Sequence, residues 1–241
     1  MNTTAQKTIG DIVAEDYRAA TVFESYGIDF CCKGNRTIEE ACDRKNVNPE
    51  EVYKDLETLM SQNTGEKINY TAWPADLLAD YIEKKHHRYV EERSPLLNQY
   101  LDKLCKVHGD RHPELFEVAE LFRQTSGHLA QHMKKEELVL FPFIRKMETA
   151  KRSGTPLETP HFGEVDNPIN MMEHEHAEEG ERLRKIAELT DGYTPPSDAC
   201  NTYRVTFSML DEFEKDLHHH IHLENNILFP TARRMEKELR S

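Results

Sequence analysis

Long apolar runs are missing from this 241-residue sequence. The longest, Leu138 to Ile144, falls far short of the roughly 20 residues that a membrane-spanning helix needs. The first residues, Met1-Asn2-Thr3-Thr4-Ala5-Gln6-Lys7, lack the apolar stretch of a secretory signal, which predicts a cytoplasmic chain. A surplus of positive charge is missing too. Against 31 Lys and Arg stand 44 Asp and Glu, a net charge of −13, which argues against a nucleic-acid scaffold and against docking on anionic lipid. The acidity itself implies no more than solubility. Gly and Pro are few, 10 and 11, which speaks against widespread disorder. Five cysteines, an odd number in a long chain, fit reduced thiols rather than a disulfide framework. What remains is 31% charged and 37% apolar residues with few aromatics, the composition of amphipathic helices and an all-α fold.

Two regions separate along the chain. Residues 1–60 read as a small helical domain, broken at Tyr26-Gly27-Ile28-Asp29 and near Asn46-Val47-Asn48-Pro49. Its apolar residues, among them Ile9, Ile12, Val13, Ala20, Val22 and Phe23, suffice for a mini-bundle. Residues 61–73 read as a linker, opened by the polar Ser61-Gln62-Asn63-Thr64-Gly65-Glu66-Lys67. From residue 74 to 241 four long helices are expected, over 74–105, 112–148, 166–190 and 199–238. They end at His108-Gly109-Asp110, Ser153-Gly154-Thr155-Pro156 and Asp191-Gly192-Tyr193-Thr194-Pro195-Pro196. Short to moderate connections make this an antiparallel four-helix bundle. Pro142 and Pro230 fall inside helical patterns and predict kinks or local ends.

One string occurs twice. His132-Met133-Lys134-Lys135-Glu136-Glu137-Leu138-Val139-Leu140-Phe141-Pro142 returns 88 residues later as His220-Ile221-His222-Leu223-Glu224-Asn225-Asn226-Ile227-Leu228-Phe229-Pro230. Duplication of a helix pair is the simplest account, so each half needs one more equivalent helix. His86 lies 46 residues before His132 and His176 lies 44 before His220, which supplies it. Each half then reads as one His, followed on the next helix by His-x-x-x-Glu.

A spacing of four puts His and Glu on one helical face. Around His220 that face holds Leu210, Phe213, Leu217 and Leu228; around His132 it holds Leu121, Leu129, Val139 and Leu140. His86 goes with Leu78, Ala79, Ile82 and Val90, and His176 with Ile169, Met172 and Leu183. All six polar side chains are therefore expected to face the core. A lone His-x-x-x-Glu is more often a surface pair worth tenths of a kcal/mol. Two copies on apolar faces are different, because a buried carboxylate costs several kcal/mol unless it neutralises or meets a cation. His87, His174, His218 and His222 share faces with charged or amide residues and read as solvated. His219 and His128 are ambiguous, and His128, one turn before His132, is either a ligand's partner or a spare ligand. Four imidazoles and two carboxylates exceed one tetrahedral zinc and lack thiolates. Bridging glutamates would give each of two metals two nitrogens and two oxygens, a set suited to iron, manganese or, less well, zinc. The Glu-x-x-His of ferritin-like centres is reversed and lengthened here.

At these residues the chain resembles the hemerythrin-like di-iron proteins and, within them, the Repair of Iron Centers (RIC) family of iron–sulfur cluster repair proteins. The likeness rests on His86, His132/Glu136, His176, His220/Glu224 and both Leu-Phe-Pro endings. It extends to an amino-terminal Cys-Cys domain through Ile9-Gly10-Asp11-Ile12-Val13 and Tyr26-Gly27-Ile28-Asp29-Phe30-Cys31-Cys32-Lys33-Gly34. The resemblance implies a centre of two Fe ions, oxo- or hydroxo-bridged, on those six residues. It further implies repair of clusters damaged by nitric oxide or peroxide, iron donation to damaged iron–sulfur proteins as clients, and a homodimer. Glu175 resembles an acidic position of the family that would support a ligand. His128 departs from it, an acidic residue being usual there. Cys31 and Cys32 are either one buried and one exposed thiol of a helical turn, or thiols for redox exchange or transfer; Cys42, Cys105 and Cys200 read as core. Against the repair factor, which need not be an enzyme, stand reversible binding or sensing of oxygen or nitric oxide, and reduction of nitric oxide or peroxide.

Overall fold

Local signals set the first helices of the computed structural model, which describes residues 7–61 and 68–240. Thr8 caps α1 (Ile9–Glu15) by accepting from the Asp11 amide, while the Asp11 carboxylate accepts from the Thr8 amide. The same reciprocal cap, Thr37 with Glu40, starts α3 (Ile38–Lys45), and Asn46 ends it in a left-handed conformation. α2 (Ala19–Ser25) and α4 (Pro49–Ser61) complete a four-helix cap.

Four rods follow. α5 runs from Ala75–Tyr81 through a π-helical turn, Ile82–His87, into Arg88–His108. α6 runs from Glu114–Lys135 through a π turn, Glu136–Leu140, into Phe141–Ser153, where Gly154 at φ +64° stops it. α7 is α-helical over Asp166–Leu189, and α8 joins Asn201–Leu223, a π turn Glu224–Leu228 and Phe229–Arg240. Eight helices and no strand occur among the described residues. No helix among them is long and apolar enough to cross a membrane. The rods agree with the helical periodicity of the sequence. Neither Pro142 nor Pro230 ends a rod: each follows a π turn, where the widened ladder takes up the missing N–H.

The duplication is visible in how the rods are tied. Glu148 on α6 accepts from the Ala75 amide at the start of α5 (2.9 Å), and Glu236 on α8 accepts from Val165 just ahead of α7 (2.9 Å). Arg145 reaches Asp80 and Glu83, and Arg233 reaches Asn170 and Glu173. Each carboxylate or guanidinium thus fixes the same crossing in both halves.

Two apolar clusters fill the molecule, and their border does not follow the expected domain boundary. One joins α1–α4 to the far half of the rods, with Phe23, Ile38, Leu97, Phe122, Phe207 and Phe213. The other holds the opposite end, with Ile82, Phe141, Ile169, Phe229 and also Tyr70. Of the linker expected over 61–73, residues 62–67 lie outside the described residues. Tyr70–Ala72 form a 3-10 turn whose buried tyrosine and adjacent Trp73 pack on the bundle instead of spanning a gap. Between the two apolar clusters lies a polar layer.

Candidate metal centre

The layer is made where the rods depart from α-helical register. Two groups of side chains place their ligand atoms within 4.8 Å of one another: His87, Glu136, His220 and Glu224, and His132, Glu136, His176 and Glu224. Both glutamates belong to both groups. Glu224 divides its oxygens, with Oε1 3.1 Å from His220 Nε2 and Oε2 3.2 Å from His176 Nε2. Glu136 Oε2 lies 3.4 Å from His87 Nε2 and 3.3 Å from His132 Nε2. Each carboxylate therefore joins one imidazole of each group.

The structure puts His87 in this centre, where periodicity predicts His86. The reason is the π turn Ile82–His87, which inserts one residue into α5 that α7 does not have. Up to the bulge, α5 and α7 correspond residue for residue, as the shared Glu and Arg ties show. Beyond it the correspondence slips by one, and His87 instead of His86 matches His176. The sequence held one clue: His87 precedes His132 by 45 residues, nearer than His86 to the 44 that separate His176 from His220. His86 is fully buried next door, its Nδ1 3.0 Å from the Asp216 carboxylate.

Outer hydrogen bonds orient the rings. His87 Nδ1 meets Glu137 (3.0 Å), His132 Nδ1 meets Glu175 (2.8 Å) and His176 Nδ1 meets Asn225 (2.8 Å), which leaves the three Nε2 atoms to point inward. Glu175, the acidic residue beside His176, lies against His132 and also pairs with Lys135. His128 does not reach the centre. It is exposed, accepting from Arg182 and lying 3.4 Å from Glu179.

Charge and burial together ask for a cation. Glu136 and Glu224 are fully buried, and neither Glu136 oxygen, nor Glu224 Oε2, nor His87 Nε2 makes a hydrogen bond of adequate geometry despite the short distances. Burial pushes the Glu224 carboxyl up, yet His220 and His176 hold it well below the usual range. Burial and the Glu224 charge push Glu136 up in the same way, and His132 and His87 outweigh them. His132 is raised to about 10, burial opposing and Glu136 and Glu175 prevailing. The two Nε2 atoms of His132 and His176 sit 3.0 Å apart. Ligands at roughly 2.1 Å from one ion and at right angles to each other lie about 3 Å apart, so this contact is what a shared cation would set. The donor set fits a metal.

Comparison with known proteins agrees. The family model described as the hemerythrin HHE cation binding domain matches residues 78–232, and one described as a Domain of Unknown function (DUF542) matches residues 5–60. The iron–sulfur cluster repair protein ScdA of Staphylococcus haemolyticus is 33% identical over 226 residues, 94% of this chain and 97% of that protein. The iron–sulfur cluster repair proteins YtfE of Musicola paradisiaca and Pectobacterium carotovorum are 35% and 36% identical, over 96% and 95% of this chain and 98% of each relative. The chain belongs to this family of iron–sulfur cluster repair proteins. In this member of the family the hemerythrin HHE match falls on the four rods and covers all the residues of the polar layer.

The amino-terminal cap of this family member bears directly on the centre. Asn225, which holds His176, also donates to the Cys31 carbonyl (3.2 Å), and Asn226 donates to the Phe30 carbonyl (3.1 Å). Cys32 Sγ lies 3.4 Å from the His176 carbonyl and 3.7 Å from Cys31 Sγ, with no disulfide. The hydrogen-bonded Cys32 thiol and burial push Cys31 up. Gly10 and Gly34 permit the approach, since a Cβ on either would overlap Asn226 Oδ1. The bundle face that reads as solvated is therefore covered. His222 is buried and accepts from Asn226, and His218 is half-buried against Glu24. His174 is exposed as its face suggests. Cys42 is buried, Cys105 is half-buried, and Cys200 is not core but exposed beside His108 at the start of α8. A crevice of about 180 Å³, lined by His128, Lys135, Glu175 and Glu179, reaches His132 and His176 from solvent.

Proposed function

We propose that this chain holds two irons on His87, His132, Glu136, His176, His220 and Glu224 and uses them to repair iron–sulfur clusters damaged by oxidative or nitrosative stress. The observation that carries the reading is the sharing of two fully buried carboxylates between two imidazole pairs. Each pair with both glutamates supplies two nitrogens and two oxygens, a set suited to iron and short of a full octahedron. Bound iron would supply redox change and exchangeable coordination positions.

The chain's own residues govern retention and release. Glu137, Glu175 and Asn225 hold three rings in place, and weakening any of them loosens the metal. The crevice beside His128 supports exit on the His132/His176 side. Contact of the Cys31-Cys32 turn with His176 through Asn225 supports a role for these thiols in the transfer, in a compartment that keeps all five cysteines reduced. The names of the relatives support the biological role.

The test loads metal-free chain with ferrous iron, measures metal content, and incubates it with a cluster enzyme inactivated by nitric oxide. Loaded wild type is expected to restore activity and a metal-poor His220→Ala variant to fail. Equal restoration by both would sink iron donation.

A further inference from the structure

His86 is buried against the centre without belonging to it. Its ring lies nearly parallel to that of His220, 14° between planes and 5.6 Å between centroids. Tyr81 stands edge-on to it at 5.7 Å. Tyr81 in turn meets Tyr70 at 5.5 Å, with the hydroxyls 3.1 Å apart, and Trp73 at 5.3 Å. Tyr70 and Trp73 are 5.0 Å apart. A second branch runs from Tyr70 to His219 at 5.7 Å and from His219 to His86 at 5.1 Å. Rings thus follow one another at van der Waals spacing from a metal-facing imidazole to Trp73, the only tryptophan of the chain, half-buried at the bundle surface.

Packing alone does not account for this file. The duplicated half offers the comparison: there His176 stacks on Phe229, and the position matching Tyr81 is the exposed Met171. His87 likewise stacks on Phe141. Phenylalanine rings do not give up an electron readily; indole and phenol rings do. Among the described residues, oxidisable rings gather on the His86/His219 side of the centre, where Tyr17 also stacks on His219 at 3.9 Å, while His87 and His176 stack on phenylalanines. Electron transfer falls steeply with distance, so a series of short steps outruns one long jump.

We propose that Trp73, Tyr70, Tyr81 and His86 form a relay that replaces electrons taken from the centre by peroxide, which moves oxidative damage away from the ligand imidazoles. The proposal rests on the reading of the polar layer as an iron centre. Hydrogen peroxide takes up two electrons and two protons and leaves as two waters. The two electrons lost from the centre are replaced one at a time through His86, Tyr81 and Tyr70 from Trp73, which gives up one electron and its indole N–H proton on each occasion and must be restored before the second. A thiol reductant then restores the indole; without one, the oxidised ring combines with dioxygen.

The experiment treats iron-loaded and metal-free protein with hydrogen peroxide in air without reductant and maps oxygen addition by peptide mass spectrometry. The Tyr70→Phe/Tyr81→Phe double variant keeps the rings and the packing but removes the oxidisable phenols. Metal content is measured on every sample, and the exposed Met171 and Met60 report oxidation by free peroxide. Oxygen addition at Trp73 is expected several-fold above the metal-free level in loaded wild type and near that level in the loaded double variant, with the methionines alike in all. Rapid-freeze electron paramagnetic resonance is expected to show an aromatic radical that the double variant loses. Trp73 modified equally with and without iron, or equally in the double variant, overturns the relay while the metal content upholds the centre. A wild type that takes up no iron overturns the centre itself.

Discussion

Replacing His87 by alanine separates the proposed ligand set from the one periodicity suggests. The side chain is fully buried, with Nε2 facing Glu136 and Nδ1 held by Glu137 at 3.0 Å. Without it, the group that shares His220 keeps one imidazole in place of two, while His132 and His176 are untouched. Loss of a residue that only orients a ligand lowers metal affinity by about 10- to 100-fold, and loss of the ligand itself sits at or beyond the upper end. About 100-fold corresponds to about 2.7 kcal/mol at that position. His87→Ala is therefore expected to bind half as much iron as wild type in a chelator-competition titration, the retained half with wild-type affinity. His86→Ala loses a hydrogen bond to the Asp216 carboxylate, worth about 1.5–3 kcal/mol, and some packing. It should melt earlier yet take up the full amount of iron. Full loading of His87→Ala together with depleted loading of His86→Ala would refute the assignment and the register slip behind it.

Three further outcomes follow from the polar layer, its cap and the rods. In metal-free protein, burial lowers His222 to about 3 and His219 to about 2, so both are neutral when folded and protonate when unfolded. A base with a depressed folded value contributes stability that is present above its unfolded value near 6.5 and is lost as pH falls; for His222 that is about 2 kcal/mol between pH 7 and pH 5. His132, raised to about 10, works the other way: its contribution is complete below about 6.5 and fades as pH rises through 10, so it adds at most about 1 kcal/mol over the same interval. Urea melts should show a net loss on acidification that shrinks in His222→Leu; an unchanged loss in that variant would refute burial of a neutral imidazole. Gly10→Ala should cost about 1–3 kcal/mol and expose the cap to limited proteolysis, because the new Cβ overlaps Asn226. Gly127→Ala, with open space around it inside α6, should instead stabilise by about 0.5–1 kcal/mol in the same melts.

The rods and five of the residues that form the layer can be read from the chain because the evidence for them is periodic and occurs twice. His132 with Glu136 and His220 with Glu224 share a face by their spacing of four, and the apolar residues around them say which face. The residue that reading misses, His87, is missed for a physical reason. Periodicity assumes a constant advance of about 100° per residue, and a π turn breaks that advance once, which carries every later residue on α5 to a new direction. The apolar residues before the bulge, Leu78, Ala79 and Ile82, point to His86; Val90, Leu97 and Leu101 beyond it share the buried face with His87. Nothing in the local residue types marks the bulge, whereas at Glu136–Leu140 and Glu224–Leu228 a following proline does.

The histidines of the last rod are misread for a different reason. His218, His222 and Asn225 look solvated because polarity is the signature both of a face open to water and of a face covered by backbone. Here the cover is the Phe30–Cys31 turn, whose carbonyls accept from Asn226 and Asn225. Apolar residues would have left those carbonyls without donors at a buried contact, at about 1–3 kcal/mol each. The amides are thus required by the docking, and Asn225, because it also holds His176, makes that docking and the orientation of an inward-facing ring of the polar layer one structural event. A change that lifts the cap removes the hydrogen bond to Cys31, frees Asn225 to turn, and loosens His176. The orientation of His176 and the seating of the Cys31-Cys32 turn are thereby coupled through one side chain.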